Sequence, residues 1–381
     1  MIKMILFDVD GVFLSEERCF DASALAVWEL LYAPHFLALP GEIYTPTPTE
    51  EQIKHIRELV FQDNQVLDWM KTRGVNSNWD MVFLTFSAQL MKILKEVHQH
   101  DPHFLHQLLS KPISEASIQQ LRDWLKAHQI VFTVDFAAFS TLFDPQLRDR
   151  QSLLVYFNQL AEQWFAYSID QFSRNSGLWR LGHSVYQEWY IGAQLYEETE
   201  QEKARNPEKQ GFLEYEIPLA PPDQVQTMLT KLREKGIILG IGTGRPFIET
   251  KIPFEAMGLY SLFDAQRIVS ASDVIQAEGE FPERAPLGKP GPYTYIKGYL
   301  GRSASDEECL TFDLPISDGS EILIVGDSVA DFLAAREMGC TFAATLTGLT
   351  GKEARAKFEE LQADYILEDV LELETLFTDR Q

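Results

Sequence analysis

Met4-Ile5-Leu6-Phe7-Asp8-Val9-Asp10-Gly11-Val12 decides how the rest of the chain is read. The four apolar residues make a run of the length of one buried strand. The run ends in two carboxylates spaced i, i+2 and then a glycine. Side chains alternate along a strand, so Asp8 and Asp10 can point the same way. Two acids at the carboxyl end of a strand can offer one substrate both a nucleophile and a proton donor. Taken alone, the pattern equally fits an ordinary turn, where Asp and Gly are frequent. The residues that separate the two readings lie far downstream.

Ile237-Ile238-Leu239-Gly240-Ile241-Gly242-Thr243-Gly244-Arg245-Pro246 is a second apolar strand with a small polar end, and the first side chain past it is the Thr243 hydroxyl. Gly288-Lys289-Pro290-Gly291-Pro292 places a lysine in a rigid loop. Ile322-Leu323-Ile324-Val325-Gly326-Asp327-Ser328-Val329-Ala330-Asp331 is a third strand, running into a helical stretch that ends at Gly339. Asp327 and Asp331 are four apart around that strand-to-helix turn and can face one pocket. Strand carboxyl ends are where open α/β sheets bind ligands.

In that order, the acid pair, threonine, lysine and second acid pair resemble the haloacid dehalogenase-like (HAD) hydrolase superfamily. Asp8-Val9-Asp10-Gly11 matches its first motif, Thr243 its second, Lys289 its third and Gly326 to Asp331 its fourth. GKPGP and VGDSVADFLAAREMG look most like the phosphoglycolate-phosphatase-type branch, although Gly-Arg-Pro follows Thr243 where that branch commonly has Asn. The resemblance implies a Rossmann-like, doubly wound α/β core with a mostly parallel sheet.

It also implies a chemistry. A phosphate monoester repels nucleophiles, and covalent catalysis splits the difficulty by attacking first with a positioned carboxylate. The resemblance gives that role to Asp8, through an aspartyl-phosphate, and makes Asp10 general acid and then general base. Mg²⁺ is the implied cofactor, held by Asp8, Asp327 and the backbone carbonyl of Asp10. Thr243 and Lys289 would hold the phosphoryl oxygens. Asp331 would orient Lys289 or a metal-bound water, with Gly11, Gly244 and Ser328 in support. The expected activity is hydrolysis of a small phosphorylated metabolite. Dehalogenases of the superfamily lack an acid at the Asp10 place, so phosphoryl transfer is favoured. A phosphomutase, another hydrolase of the superfamily and a binding or regulatory protein without turnover are the alternatives. A phosphonatase-type reaction would need an imine-forming lysine in the insert, and the sequence identifies none.

The chain of 381 residues is long enough for more than one domain, and its charge is −24 at pH 7. That balance argues against nucleic acid or an anionic membrane as partner, because phosphate backbones call for clustered Lys and Arg. A phosphate pocket here must make positive potential locally, from a metal, one lysine and backbone N–H groups. Three cysteines, Cys19, Cys309 and Cys340, show no CxxC spacing, which fits a reduced, cytoplasmic setting and neither a disulfide framework nor a zinc site. Asp8 and Asp10 interrupt any secretory h-region, and no long apolar run reads as a membrane span.

The resemblance fades between the first two motifs, and there the pattern is helical. Apolar residues recur at helical spacing in Ala88 to Val97, in Leu121, Trp124 and Leu125, and in Leu153, Leu154, Phe157, Leu160 and Trp164. This predicts a core of residues 1–19 and 218–381 and a helical unit of residues 20–217. The unit would be an enlarged C1-type cap that closes over the site and selects substrate. Within it, the charged stretch 197–209 reads as a solvated helix end and loop. His183, Tyr186 and Tyr190 are candidates for substrate contact, set against the commoner outcome that a lone histidine and an aromatic helical stripe are structural. Beyond residue 223 helices and strands alternate, with further strands at 268–269, 342–345 and 365–367, which predicts right-handed parallel crossovers.

Overall fold

The computed structural model describes residues 2–75 and 77–377. The chain divides into two compact units, Met1–Glu17 with Leu213–Gln381, and Arg18–Phe212.

The first unit carries a six-stranded sheet. Its strands are β1 (Met4–Phe7), β2 (Ile238–Gly242), β3 (Ile268–Val269), β4 (Ile322–Gly326), β5 (Thr341–Thr345) and β6 (Tyr365–Leu367). They lie in the order β3-β2-β1-β4-β5-β6, and every pairing is parallel. This is the doubly wound order, in which the chain winds outward from β1 in one direction and then from β4 in the other. The switch point therefore falls between β1 and β4, where Met4 pairs with Ile322 and Phe7 with Val325.

Alternation along β1 explains the two cores. Ile5 and Phe7 pack into a cluster with Val225, Met228, Leu229 and Leu232 of the helix Pro222–Glu234. Met4 and Leu6 pack into a second cluster with Tyr293, Tyr295 and Ile296 of the helix Tyr293–Leu300, and with Ala334, Ala335 and Met338 of the helix Val329–Met338. Both faces of the sheet are covered, so its strands read as continuous apolar runs rather than alternating ones. β2 starts one residue later than the apolar run, at Ile238, because Lys3 accepts from the Ile238 amide and Met4 then pairs with Ile238. The segments bordering the other unit are joined to each other: the Ser15 amide donates to Ile217 (2.9 Å) and the Leu219 amide to Phe13 (2.9 Å).

The second unit is helical. Its longest helix, Asn78–His100, buries Met81 to Met91 almost without interruption and packs against the helices Pro102–Leu109, Arg150–Phe165 and Gly177–Ile191. The helix starting at Pro102 is capped by Asp101, which accepts from the Phe104 amide. The chain breaks there because the side chain and the proline together favour a new N-terminus.

One sequence reading is overturned in this unit. The end of the charged stretch 197–209 is not solvated. Lys209 is 3% exposed, with its ammonium 2.7 Å from Glu29 and 3.0 Å from Glu188, both fully buried. Arg205 also pairs with Glu188 and, at 2.9 Å, with Glu115. A buried ammonium is tolerated only when paired, and here two carboxylates from distant helices supply the pairing.

Candidate active site

The site is built at the carboxyl ends of β1 and β4. Asp8 follows β1 directly and is 8% exposed; its Oδ1 accepts from the Val9 amide at 2.8 Å. Asp327 follows β4 in the same way. Gly11 makes the approach of the two segments possible. It has φ +70°, and a Cβ there would overlap the Asp327 carboxylate. Its carbonyl accepts from Thr347 Oγ1 (2.6 Å) and Thr345 Oγ1 (3.1 Å), which ties the turn after β1 to the end of β5.

Lys289 lies between two acids, its ammonium 2.9 Å from Asp8 Oδ1 and 2.8 Å from Asp331 Oδ1. Asp331 is fully buried and has its acceptors filled. Tyr295 Oη donates to Oδ1 (2.7 Å) and Ser328 Oγ to Oδ2 (2.6 Å). Ser328 is also the N-cap of the helix Val329–Met338, accepting from the Asp331 amide. Asp331 is thus at once a helix N-terminal acid and the anchor of Lys289. The Lys289 ammonium further sits 5.1 Å from the centre of the Tyr295 ring.

Thr243 follows β2 and is 1% exposed; its Oγ1 accepts from the Arg245 amide at 3.1 Å. Gly244 is exposed, and a Cβ there would meet nothing, so no steric demand fixes glycine at that position. Arg245 is buried. Its Nε and Nη2 both donate to Asp10 Oδ1, at 2.8 and 2.6 Å, and its Nη1 donates to Glu216 Oε1 at 2.6 Å.

Carboxylates outnumber cations here, and their proton affinities show it. Burial pushes the Asp8 carboxyl up to about 7, against the pull of Lys289 and helped by the charges of Asp331 and Asp10. Asp327 is pushed well above the usual carboxylate range, by burial and then by Asp331, Asp8, Glu16 and Asp10. Asp331 goes the other way: burial is outweighed by Lys289 and by the hydrogen bonds from Lys289, Ser328 and Tyr295. One oxygen each of Asp8, Asp327 and Asp331 lie within 4.8 Å of one another. Asp331 already takes three donors, from Tyr295, Lys289 and Ser328, so Asp8 and Asp327 are the pair with more capacity to bind a cation. Oxygen donors and surplus negative charge suit a hard divalent ion.

The candidates in the helical unit are placed differently. His183 lies against Trp79 (4.5 Å, edge-on) and Trp179 (5.4 Å, stacked), and burial lowers its pKa to about 4. Tyr186 and Tyr190 are buried and stack on each other at 5.5 Å.

Among known proteins, an X-ray structure determined as a target of the Northeast Structural Genomics Consortium is 40% identical to this chain. The match covers 98% of both chains with a TM-score of 0.86. A HAD-hydrolase-like family model matches residues 286–373, the segment that contains Lys289, Asp327 and Asp331. The chain belongs to the HAD-like hydrolase superfamily. No curated protein matches it in sequence. Less similar structures include a predicted phosphoglycolate phosphatase from Haemophilus somnus (15% identity, 98% and 97% of the two chains, TM-score 0.39). Another is a subfamily IA HAD hydrolase from Geobacter sulfurreducens (15% identity, 98% and 96%, TM-score 0.39). No helix among the described residues is long and apolar enough to cross a membrane.

Two residues of the candidate site escaped the sequence reading. Arg245 stood inside a quoted motif, but its partner Asp10 is 235 positions away. Tyr295 reads as one more apolar position of the helix Tyr293–Leu300, and nothing local marks its hydroxyl as the partner of Asp331.

Proposed function

We propose that this protein is a divalent-cation-dependent phosphatase that hydrolyses a small phosphorylated metabolite through an aspartyl-phosphate on Asp8. The observation that carries the reading is the placement of Lys289, in contact with both Asp8 and Asp331, beside an Asp327 carboxylate that no cation among the described residues pairs with. A buried carboxylate held near 7 is a half-protonated and therefore poor nucleophile at neutral pH. Mg²⁺ on Asp8, Asp327 and the Asp10 carbonyl would supply the positive charge that keeps Asp8 ionised and offsets its repulsion of a phosphate dianion.

The remaining roles belong to the chain. Asp8 attacks phosphorus, and the bond to the leaving oxygen breaks as Asp10 gives that oxygen its proton. Asp10 then takes a proton from the water that attacks the aspartyl-phosphate. The Lys289 ammonium and the Thr243 hydroxyl hold phosphoryl oxygens, with charge and dipole fixed in place before the reaction. Asp331, filled by Tyr295 and Ser328, keeps Lys289 in place. Substrate selection is assigned to the helical unit. The test is hydrolysis of p-nitrophenyl phosphate with Mg²⁺ and with chelator. Turnover that vanishes in chelator and returns with Mg²⁺ supports the reading; full turnover in chelator overturns it.

A further inference from the structure

We infer that Arg245 is a positioning residue for Asp10, held in turn by Glu216, and that it fixes which oxygen of Asp10 moves protons; this rests on the aspartyl-phosphate reading above. The guanidinium sends two donors, Nε and Nη2, to the same oxygen, Asp10 Oδ1. Two bonds from one rigid planar fork hold that oxygen in place from two directions. Oδ2 receives no donor from the described residues, so it is the oxygen left to meet the leaving group and then the attacking water. Arg245 is 4% exposed, and its Nη1 bonds to Glu216 Oε1, whose side chain is 2% exposed. A buried guanidinium with one carboxylate on each side has little freedom to turn.

Glu216 is fixed by its position in the chain. The next residue, Ile217, accepts from the Ser15 amide, and Pro218 forms a bridge with Leu14. The relay Glu216–Arg245–Asp10 therefore runs from a backbone anchor to the carboxylate. Asp10 lies beyond the end of β1, where its backbone forms an isolated bridge with Leu14, and that pairing does not fix the direction of its side chain. Such a group needs an external brace to stay within hydrogen-bond reach of a reacting atom.

The two half-reactions depend on this brace unequally. With 2,4-dinitrophenyl phosphate the leaving oxygen needs no proton, so Asp8 can be phosphorylated whether or not Asp10 is in position. Hydrolysis of the aspartyl-phosphate always needs it: the water oxygen bonds to phosphorus, the Asp8 oxygen–phosphorus bond breaks, and a water proton passes to Asp10 Oδ2. Rapid-quench measurement of both steps, with Mg²⁺ and ³²P-labelled substrate, separates a positioning role from damage to the fold. In Arg245→Met the formation rate should stay within about threefold of wild type. Hydrolysis should slow by about 100-fold or more, the scale of lost general base catalysis, so labelled enzyme accumulates.

Arg245→Lys keeps the charge and loses the fork, and should fall between wild type and Arg245→Met. Glu216→Gln should slow hydrolysis about 5–10-fold, and with Arg245→Lys it carries the test if Arg245→Met does not fold. Equal slowing of both steps without accumulation, or unchanged hydrolysis in these variants, overturns the assignment. Wild-type enzyme that turns over but never carries label overturns the aspartyl-phosphate reading itself, a result distinct from a labelled wild type with unaffected variants.

Discussion

Gly242→Ala is a single-methyl change expected to be felt in the site through Tyr295. A Cβ at Gly242 would sit 2.7 Å from both Cδ1 and Cε1 of the Tyr295 ring. Carbon atoms pack at roughly 3.5–4.0 Å, so the overlap is about 1 Å. Neither side yields easily. Gly242 pairs with Val269 inside the sheet, and Tyr295 is fully buried with its hydroxyl bonded to Asp331 at 2.7 Å. Overpacking of this kind costs about 1–3 kcal/mol, and loss of the charge-assisted bond to Asp331 adds about 1.5–3. Replacing glycine inside a strand returns roughly 0.5–1 kcal/mol. The net is a destabilisation of about 1.5–5.5 kcal/mol, read as a shift in urea midpoint at constant m-value. Phosphatase activity should fall with it, since Asp331 anchors Lys289. Tyr295→Val should be less harmful in the Gly242→Ala background than alone, with a coupling of about 1 kcal/mol or more. A Gly242→Ala protein within about 0.5 kcal/mol of wild type, or strict additivity with Tyr295→Val, would refute the packing argument.

Asp8→Asn should abolish turnover and the covalent intermediate, whereas Asp10→Asn should still be phosphorylated by a substrate with a good leaving group and then stall; more residual activity in Asp8→Asn than in Asp10→Asn would reverse the roles. Asp8 retains a proton in the folded, cation-free protein up to about pH 7, which the unfolded chain has lost above about pH 4. Folding then binds protons across that window, so cation-free stability should fall as pH rises through it. Mg²⁺ replaces that proton, so the Tm gain from Mg²⁺ should be larger at about pH 8 than at about pH 5; a gain independent of pH would count against Asp8 as a ligand. His183, with its pKa lowered to about 4, stays neutral when folded and charges when unfolded. Stability should therefore drop as pH falls from about 6.5 toward 4, by about 1–2 kcal/mol at pH 5 after allowance for its partial exposure, and His183→Gln should remove that part of the acid limb.

The core of the fold was legible because each strand that carries chemistry is an apolar run stopped by a polar residue. β1, β2 and β4 each announce their own ends at Asp8, Thr243 and Asp327, and those ends are neighbours because β2, β1 and β4 lie side by side in the sheet. Local sequence cannot show which side chain meets which. Arg245 looked like a departure from a motif because its meaning lies in Asp10 and Glu216, both remote in sequence. Lys209 looked like one more charge in a solvated run. Its burial follows from Glu29 and Glu188, which sit on helices Glu17–Tyr32 and Gly177–Ile191. Helical spacing in the second unit was visible because amphipathic periodicity is a local property, but its internal ion pairs depend on packing between distant segments.

The central claim is that Asp8 becomes phosphorylated during turnover. Borohydride reduces an aspartyl-phosphate to homoserine, so the most direct measurement is to quench the enzyme during turnover of p-nitrophenyl phosphate with Mg²⁺, reduce it and sequence the N-terminal peptide by mass spectrometry. Homoserine at position 8, absent without substrate and absent in Asp8→Asn, is the predicted result. Turnover at full rate with Asp8 unmodified, or the reduced residue at another carboxylate, would contradict the account.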